Sequence, residues 1–390
     1  MTEWREFKLG DICTIIQYGY TESATFDPVG PKFLRITDIV PNIIDWSTVP
    51  YCKIDKENYE KYKLDVGDIV IARTGATTGY NKRIKDSINA VFASYLIRFK
   101  INKEIADDCF ISYVLKSDSY FGFIDNAVGG SAQPGINARV LSQFSFLLPP
   151  LPEQKAIADV LSSLDDKIDL LTRQNKTLED LAQAYFRKWF IEDASKEWEV
   201  VPISEKFDVL LGGTPSRKIE SYWTNGTIGW INSGKINEFR IIEASEYITE
   251  EALNNSSAKL LPAGTTVLAI TGATLGKISM VLRSFAANQS VIGLVPKAEL
   301  SNNFIFLWLK ENINALISMQ TGGAQQHINS NDVKSFDVIV PDTVALSLFR
   351  RKIDPLMLKI SQNCFQINTL NKLRDTLLPK LISGEIRVKM

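Results

Sequence analysis

The chain writes one strand and turn twice. Residues 67–79 read GDIVIARTGATTG and residues 264–276 read GTTVLAITGATLG, and Gly67/Gly264, Val70/Val267, Ala72/Ala269, Thr74/Thr271, Gly75/Gly272, Ala76/Ala273, Thr77/Thr274 and Gly79/Gly276 agree at one constant offset. Unrelated segments of this length would agree about once at ordinary residue frequencies. A second block repeats in the same order: GSAQPGINARVLSQFSFLLP at 130–149 matches GGAQQHINSNDVKSFDVIVP at 322–341 through Gly130/Gly322, Ala132/Ala324, Gln133/Gln325, Ile136/Ile328, Asn137/Asn329, Phe144/Phe336 and Pro149/Pro341. A chain that orders its landmarks this way folds as two copies of one domain.

Length agrees, since 390 residues at 45% apolar composition exceed one ordinary domain. Short apolar runs bounded by turn residues at 68–72 and 265–270 predict strands, and 109–115 and 304–309 predict helices. The class is α+β, a mixed α/β globule built twice without strict βαβ alternation.

After each globule the periodicity changes. Pro152 and Glu153 suit a first helical turn, and Ile157, Leu161, Leu164, Ile168, Leu171, Asn175, Leu178, Ala182, Tyr185 and Trp189 then step by four and three. This is a heptad seam with one asparagine inside it, spanning roughly 50 Å at about 1.5 Å per residue. Ile353, Leu356, Ile360, Asn363, Ile367, Leu370, Leu377 and Leu381 repeat the rhythm, Arg374 interrupts it, and Pro355 and Pro379 are expected to break or kink the helix near its ends. The division is therefore 1–150, first globule; 151–192, first helix; 193–343, second globule; 344–390, second helix. Two such seams favour a helical pair acting as a spacer over two unrelated core helices.

The stretches PPLPEQKAIADVLSSLDDKID (149–169), NKTLEDLAQAYFRKWF (175–190), GGTPSRKIESYW (212–223) and LRDTLLPKLISGEI (373–386) together resemble the specificity subunit of type I restriction-modification enzymes, over nearly the full length. The resemblance implies two target-recognition domains, each reading half of a bipartite, asymmetric site in double-stranded DNA. It implies two long helices, 155–190 and 346–381, packed as an antiparallel coiled coil about a pseudo-twofold axis, with the chain ends close together. These helices would set the half-site spacing and dock methyltransferase subunits; restriction subunits would add translocation and cleavage. The subunit itself would be non-catalytic and hold no cofactor, with S-adenosylmethionine, ATP and magnesium on the partners. The second helix departs from the pattern, opening PDTVALSLFRRKIDPL at 341–356 without the PPLPEQ of the first.

Net charge, at −1, gives no global case for nucleic acid. Local runs do: Arg73, Lys82, Arg83, Lys85, Arg98, Lys100 and Lys103 face one acid, Asp86, and Lys259, Lys277, Arg283, Lys297 and Lys310 face Glu299. Solvated surface and phosphate contact are both open readings of these runs. Around the repeated turn, Thr74 and Thr77 with Arg73, and Thr271 and Thr274 with Lys277, are candidate contacts, while its glycines are read first as turn formers. Gln133, Asn137 and Arg139 in one half, and Gln325, Gln326 and Asn329 in the other, carry base-reading chemistry, with helix capping an equal alternative for the two asparagines. Arg217 and Lys218 are candidate phosphate contacts. Arg73 becomes Ile270 and Thr78 becomes Leu275 in the second copy, so the two domains should read different bases.

Catalytic chemistry is missing where it would be needed. GATLGK at 272–277 falls one residue short of a phosphate-binding loop and has Ile278 where a magnesium ligand belongs. The single histidine, His327, excludes histidine-pair metal sites, no (N/D)PP(Y/F) methyltransferase motif occurs, and Glu6-Phe7-Lys8 lacks the acidic partner of a nuclease signature. Four scattered cysteines form no CxxC pair and read as reduced thiols, and the lack of an export signal or long apolar run points to the cytoplasm and away from membranes. The rival readings are a partner-binding scaffold that touches no nucleic acid and an isolated hydrolase centred on His327.

Overall fold

The computed structural model describes residues 4–41, 43–129, 135–297, 299–319 and 327–388. The chain forms two compact units, Met1–Asp169 with Leu370–Met390, and Leu170–Thr369.

The first unit holds strands β1 (Arg5–Lys8), β2 (Cys13–Tyr18), β3 (Lys32–Leu34), β4 (Ile69–Ala72), β5 (Asn81–Arg83), β6 (Ala90–Phe92), β7 (Leu96–Ile101) and β8 (Ser145–Leu148). Its helices are α1 (Ile36–Ile39), α2 (Lys56–Tyr62), α3 (Asp108–Val114), α4 (Asp118–Val128), α5 (Ala138–Leu141) and the start of α6 (Leu151–Arg187). An antiparallel sheet ordered β2-β7-β4-β5 lies at the centre, with a parallel β3-β6 pair and an antiparallel β1-β8 pair beside it. The β4 run IVIA is apolar throughout because both its faces are covered: Ile69 and Ile71 pack toward α3 and α4, while Val70 and Ala72 pack toward β3 and β6.

The second unit repeats this plan with β9 (Glu199–Pro202), β10 (Phe207–Leu211), β11 (Ile228–Ile231), β12 (Glu246–Ile248), β13 (Leu260–Leu261), β14 (Thr266–Ala269), β15 (Ile278–Met280), β16 (Phe285–Ala287), β17 (Val291–Pro296) and β18 (Asp337–Val340). Its sheet β10-β17-β14-β15 matches the central sheet of the first unit, parallel β11-β16 matches β3-β6, and β9-β18 matches β1-β8. Strands β12 and β13 flank β11 and β16, where the first unit has the isolated antiparallel bridges Lys32–Tyr51 and Lys63–Val91 in their place. The helices are α7 (Ile203–Lys206), α8 (Glu250–Asn254), α9 (Asn302–Ser318), α10 (Ser330–Ser335), α11 (Thr343–Lys352) and most of α12 (Asp354–Ile382). The duplication read from two sequence blocks therefore extends to the whole topology.

Both units pair segments of α6 and α12 in antiparallel sense. In the first, Ile157 and Leu161 are buried with Leu381, with Leu377 packed against them, and Asp165 accepts a hydrogen bond from Arg374 at 3.0 Å. Leu164 and Leu370 are half-buried, and Ile168 is buried. In the second, Asn175 meets Asn363 of α12 at 2.9 Å and Phe186 meets Phe349 of α11, with Leu171 and Ile360 buried and Leu178 and Ile367 half-buried. Arg374, the interruption in the second seam, is thus the cationic partner of Asp165.

Two expectations are corrected. Past Ala182 the buried stripe follows Phe186 and Phe190 rather than Tyr185 and Trp189, because a straight helix drifts off a strict heptad and the chain then widens into a π-turn at Lys188–Glu192. Pro379 does not end its helix, which runs through it to Ile382; its missing N–H costs one hydrogen bond in the final turns. The second helical segment is instead divided at Ile353, and Pro355 occupies the first turn of α12, where no N–H partner is needed.

Candidate nucleic-acid interface

Where β4 ends, three chain segments meet. Arg73 N–H donates to Tyr95 O at 3.0 Å, Ile136 N–H donates to Arg73 O at 2.8 Å, and Thr74 bridges Gly135. The second unit builds the same junction: Ile270 N–H donates to Ser290 O at 3.0 Å, Ile328 N–H donates to Ile270 O at 3.0 Å, and Thr271 bridges His327. The two copies keep this backbone pattern, with Thr74/Thr271 and Ile136/Ile328 identical, while Arg73, Tyr95 and Gly135 give way to Ile270, Ser290 and His327.

The turn that follows is equally constrained. Gly75 and Gly272 adopt φ of +81° and +66°, the left-handed region that disfavours side chains. Gly79 and Gly276 also lie at positive φ, and a Cβ on them would stand 2.8 Å from Ile124 Cγ1 and 2.6 Å from Ile317 Cδ1. These glycines shape the turn and seat it on a helix. Thr74, Thr77, Thr271 and Thr274 stay half-buried beside it, with Thr274 Oγ1 donating to Thr271 O at 3.3 Å.

Both asparagines of the second block cap helices. Asn137 Oδ1 accepts from Val140 N–H at 2.9 Å, and Asn329 Oδ1 accepts from Asn331 and Asp332 N–H while Asp332 answers at Asn329 N–H. Arg139, one residue into α5, is exposed and makes no hydrogen bond or ion pair among the described residues. Gln133, Gln325 and Gln326 lie outside the described residues.

Side chains separate the two junctions. Arg73 stacks its guanidinium on Tyr18, 4.9 Å from the ring centre, and Tyr18 Oη accepts from Ala138 N–H at 3.0 Å. Tyr95 is exposed beside it. In the second unit Ile270 is buried in the core, Leu211 follows the strand course of Tyr18, and Ser290 stands where Tyr95 does. Sequence reading missed Tyr18 and Tyr95, whose only signal is their place beside Gly19 and Leu96, the counterparts of Gly212 and Val291.

Half of the cations in the two basic runs form internal ion pairs. Arg83 pairs with Asp108, buried Arg98 with Asp68, Lys85 with Asp166 and Asp169, Lys100 with Asp65, Lys297 with Asp208, and Lys310 with Glu179. Lys82 donates to Pro41 O at 2.6 Å and lines a cleft of about 530 Å³ with Lys116, Asp165 and Arg374. Burial, assisted by Lys116, pushes the Lys82 ammonium down to about 8. Burial works against ionised Asp165, yet Lys116, Arg374 and Tyr113 together hold its carboxyl below the usual range.

Lys82 and Arg83 are not neighbours of Arg73. Arg83 lies opposite Ile69 in the β4–β5 register, at the other end of the strand from Arg73, about 13 Å away at ~3.3 Å per residue. In the second unit, Arg217 is held by Glu246 through bonds of 2.6 and 2.7 Å and lies 3.5 Å over the Trp223 ring, whereas Lys218 and Lys277 are exposed. All four cysteines are free thiols. Among the described residues there is no cluster suited to a metal ion and no helix long and apolar enough to cross a membrane.

Two copies of one domain, each packed on an antiparallel helix pair and each presenting a differently furnished junction, define an internally duplicated two-domain protein. The family profile described as type I restriction modification DNA specificity domain matches residues 1–180 and 195–345. The chain belongs to that family, the non-catalytic specificity subunits of type I restriction-modification systems. It is 27% identical to the type I restriction enzyme MjaIX specificity subunit of Methanocaldococcus jannaschii over 84% of this chain and 77% of the relative. Against the HindI specificity subunit of Haemophilus influenzae it is 23% identical, covering 99% of this chain and all of the relative. Its fold is that of the crystallised type I S subunit from M. genitalium, with a TM-score of 0.62 at 17% identity over 100% of this chain and 97% of that one.

Proposed function

We propose that this specificity subunit reads a bipartite, asymmetric site in double-stranded DNA, one half-site per recognition domain. The observation that carries this reading is the pair of junctions, alike in backbone and unlike in side chains: Arg73, Tyr18 and Gly135 in one, Ile270, Leu211 and His327 in the other. A shared scaffold with altered side chains is what two readers of unlike half-sites need. Arg73, Thr74, Thr77, Arg139, Lys218, Thr271, Thr274 and Lys277 are the DNA contacts this reading favours.

The same reading gives the α6–α12 pair two tasks, setting the gap between half-sites and docking methyltransferase subunits, with restriction subunits joining the assembly. S-adenosylmethionine, ATP and magnesium belong to those partners. Mapping methylated adenines in cells carrying this chain with its methyltransferase tests the proposal. A split motif with two unlike halves is the expected result; a continuous motif or none overturns it, and duplex affinity independent of salt would favour a scaffold that binds no DNA.

A further inference from the structure

Among the arginines of the first unit, Arg35, Arg83, Arg98, Arg374 and Arg387 each face a carboxylate. Arg73 faces a ring instead. Its guanidinium lies 4.9 Å from the centre of Tyr18 and makes no hydrogen bond or ion pair among the described residues. Its Nε is buried without a partner among the described residues. A half-buried cation with an unsatisfied nitrogen is an expensive arrangement unless something outside the fold completes it.

The support beneath it is rigid. Arg73 is bonded on both sides of its peptide, to Tyr95 O and from Ile136 N–H, and the Tyr18 hydroxyl is tied to the first N–H of α5. The Tyr18 ring lies under the guanidinium, and with Nε buried the two terminal amino groups are the donors left for a ligand among the described residues. The two terminal amino groups of a guanidinium can donate a parallel pair of N–H bonds, which matches the O6 and N7 acceptors of guanine in the major groove.

We infer that Arg73 is the guanine-reading residue of the first recognition domain, positioned by Tyr18, and that the second domain has no equivalent because Ile270 fills that place. This rests on the DNA-reading function proposed above. The test is methylome mapping and duplex competition with the assembled methyltransferase complex, comparing wild type with Arg73→Ile. Isoleucine is already accommodated at the same junction in the second unit, so the fold should tolerate it.

The expected result is loss of discrimination at a single G·C pair in one half-site, by about tenfold to a hundredfold, with the other half-site unchanged. Uniform weakening on all sequences with a reduced salt dependence would identify a phosphate contact and overturn the inference, as would an unchanged motif. Should Arg73→Ile fail to assemble, Arg73→Gln reads the same quantity, with preference expected to move from guanine toward adenine at that position; retained guanine preference overturns the inference. A wild-type complex that yields no bipartite motif would instead count against the DNA-reading function itself.

Discussion

Asn363 Nδ2 donates to Asn175 Oδ1 at 2.9 Å with both side chains shut away from water. Asn363 also donates to Gln174 at 2.9 Å, Asn175 donates to Cys364 Sγ at 3.4 Å, and Asn363 Oδ1 is left without a partner. One asparagine in each seam thus meets the other, which fixes the register of α6 against α12 in the second unit at a cost in stability.

Asn175→Leu alone leaves the buried Asn363 amide with one of its two hydrogen bonds and should destabilise the chain by about 1–3 kcal/mol in urea unfolding. The double variant Asn175→Leu/Asn363→Leu removes both buried amides and should recover that loss or exceed wild type. A single variant as stable as the double would show that the pair is not coupled.

Glu179 sits at a second buried contact in the same unit. Its carboxylate lies 2.7 Å from Arg240 Nη2 and also pairs with Lys310, and the Arg240 side chain, only 2% exposed, lies between the rings of Phe239 and Phe306. Glu179→Ala leaves a buried guanidinium uncompensated and should cost about 3–5 kcal/mol. Adding Arg240→Met should restore much of this, a double-mutant cycle that equilibrium unfolding resolves. Additive losses would mean the two groups act independently.

These contacts show where sequence reading succeeds. Short apolar runs between turn residues made β4, β14 and the 304–309 part of α9 legible, and a four-three period, which records the buried face, did so for most of the α6 seam. Pairing across distant segments leaves no such trace. The basic run from Arg73 to Lys103 looked like exposed charge because Asp65, Asp68, Asp108 and Asp166 lie outside it or reach it only through the fold. Heptad counting misplaced Tyr185 and Trp189 because it carries no knowledge of helix drift. Tyr18 was invisible for the same reason as the ion pairs: its function comes from an arginine more than fifty residues away.

Lys82 makes stability depend on pH. Its ordinary value of 10.5 falls to about 8 in the folded chain, so between these values the unfolded chain holds a proton that the folded chain has released. Stability therefore rises with pH across that window, and the lysine penalises folding below it. Lys116, also lowered by burial, adds to this slope, while Cys109 and Tyr113, both raised by burial, oppose it. Subtracting Lys82→Met from wild type isolates the contribution. The variant should gain most at pH 7, and its advantage should shrink as pH climbs from 8 toward 10.5; a difference constant with pH would contradict the shift.

The spacing role proposed for the helices makes a length prediction. One heptad adds about 10.5 Å to a helix, close to three base pairs at ~3.4 Å each. An insertion in α6 alone would shift every contact beyond it and lose pairs such as Asn175 with Asn363, so the insertion must be matched in α12. Seven residues after Leu171 together with seven after Ile367 preserve the asparagine pair on one side and Asp165 with Arg374 on the other. In the assembled methyltransferase complex this variant should methylate the same two half-sites across a gap about three base pairs longer. An unchanged gap with both half-sites still recognised would show that the helices do not measure the DNA.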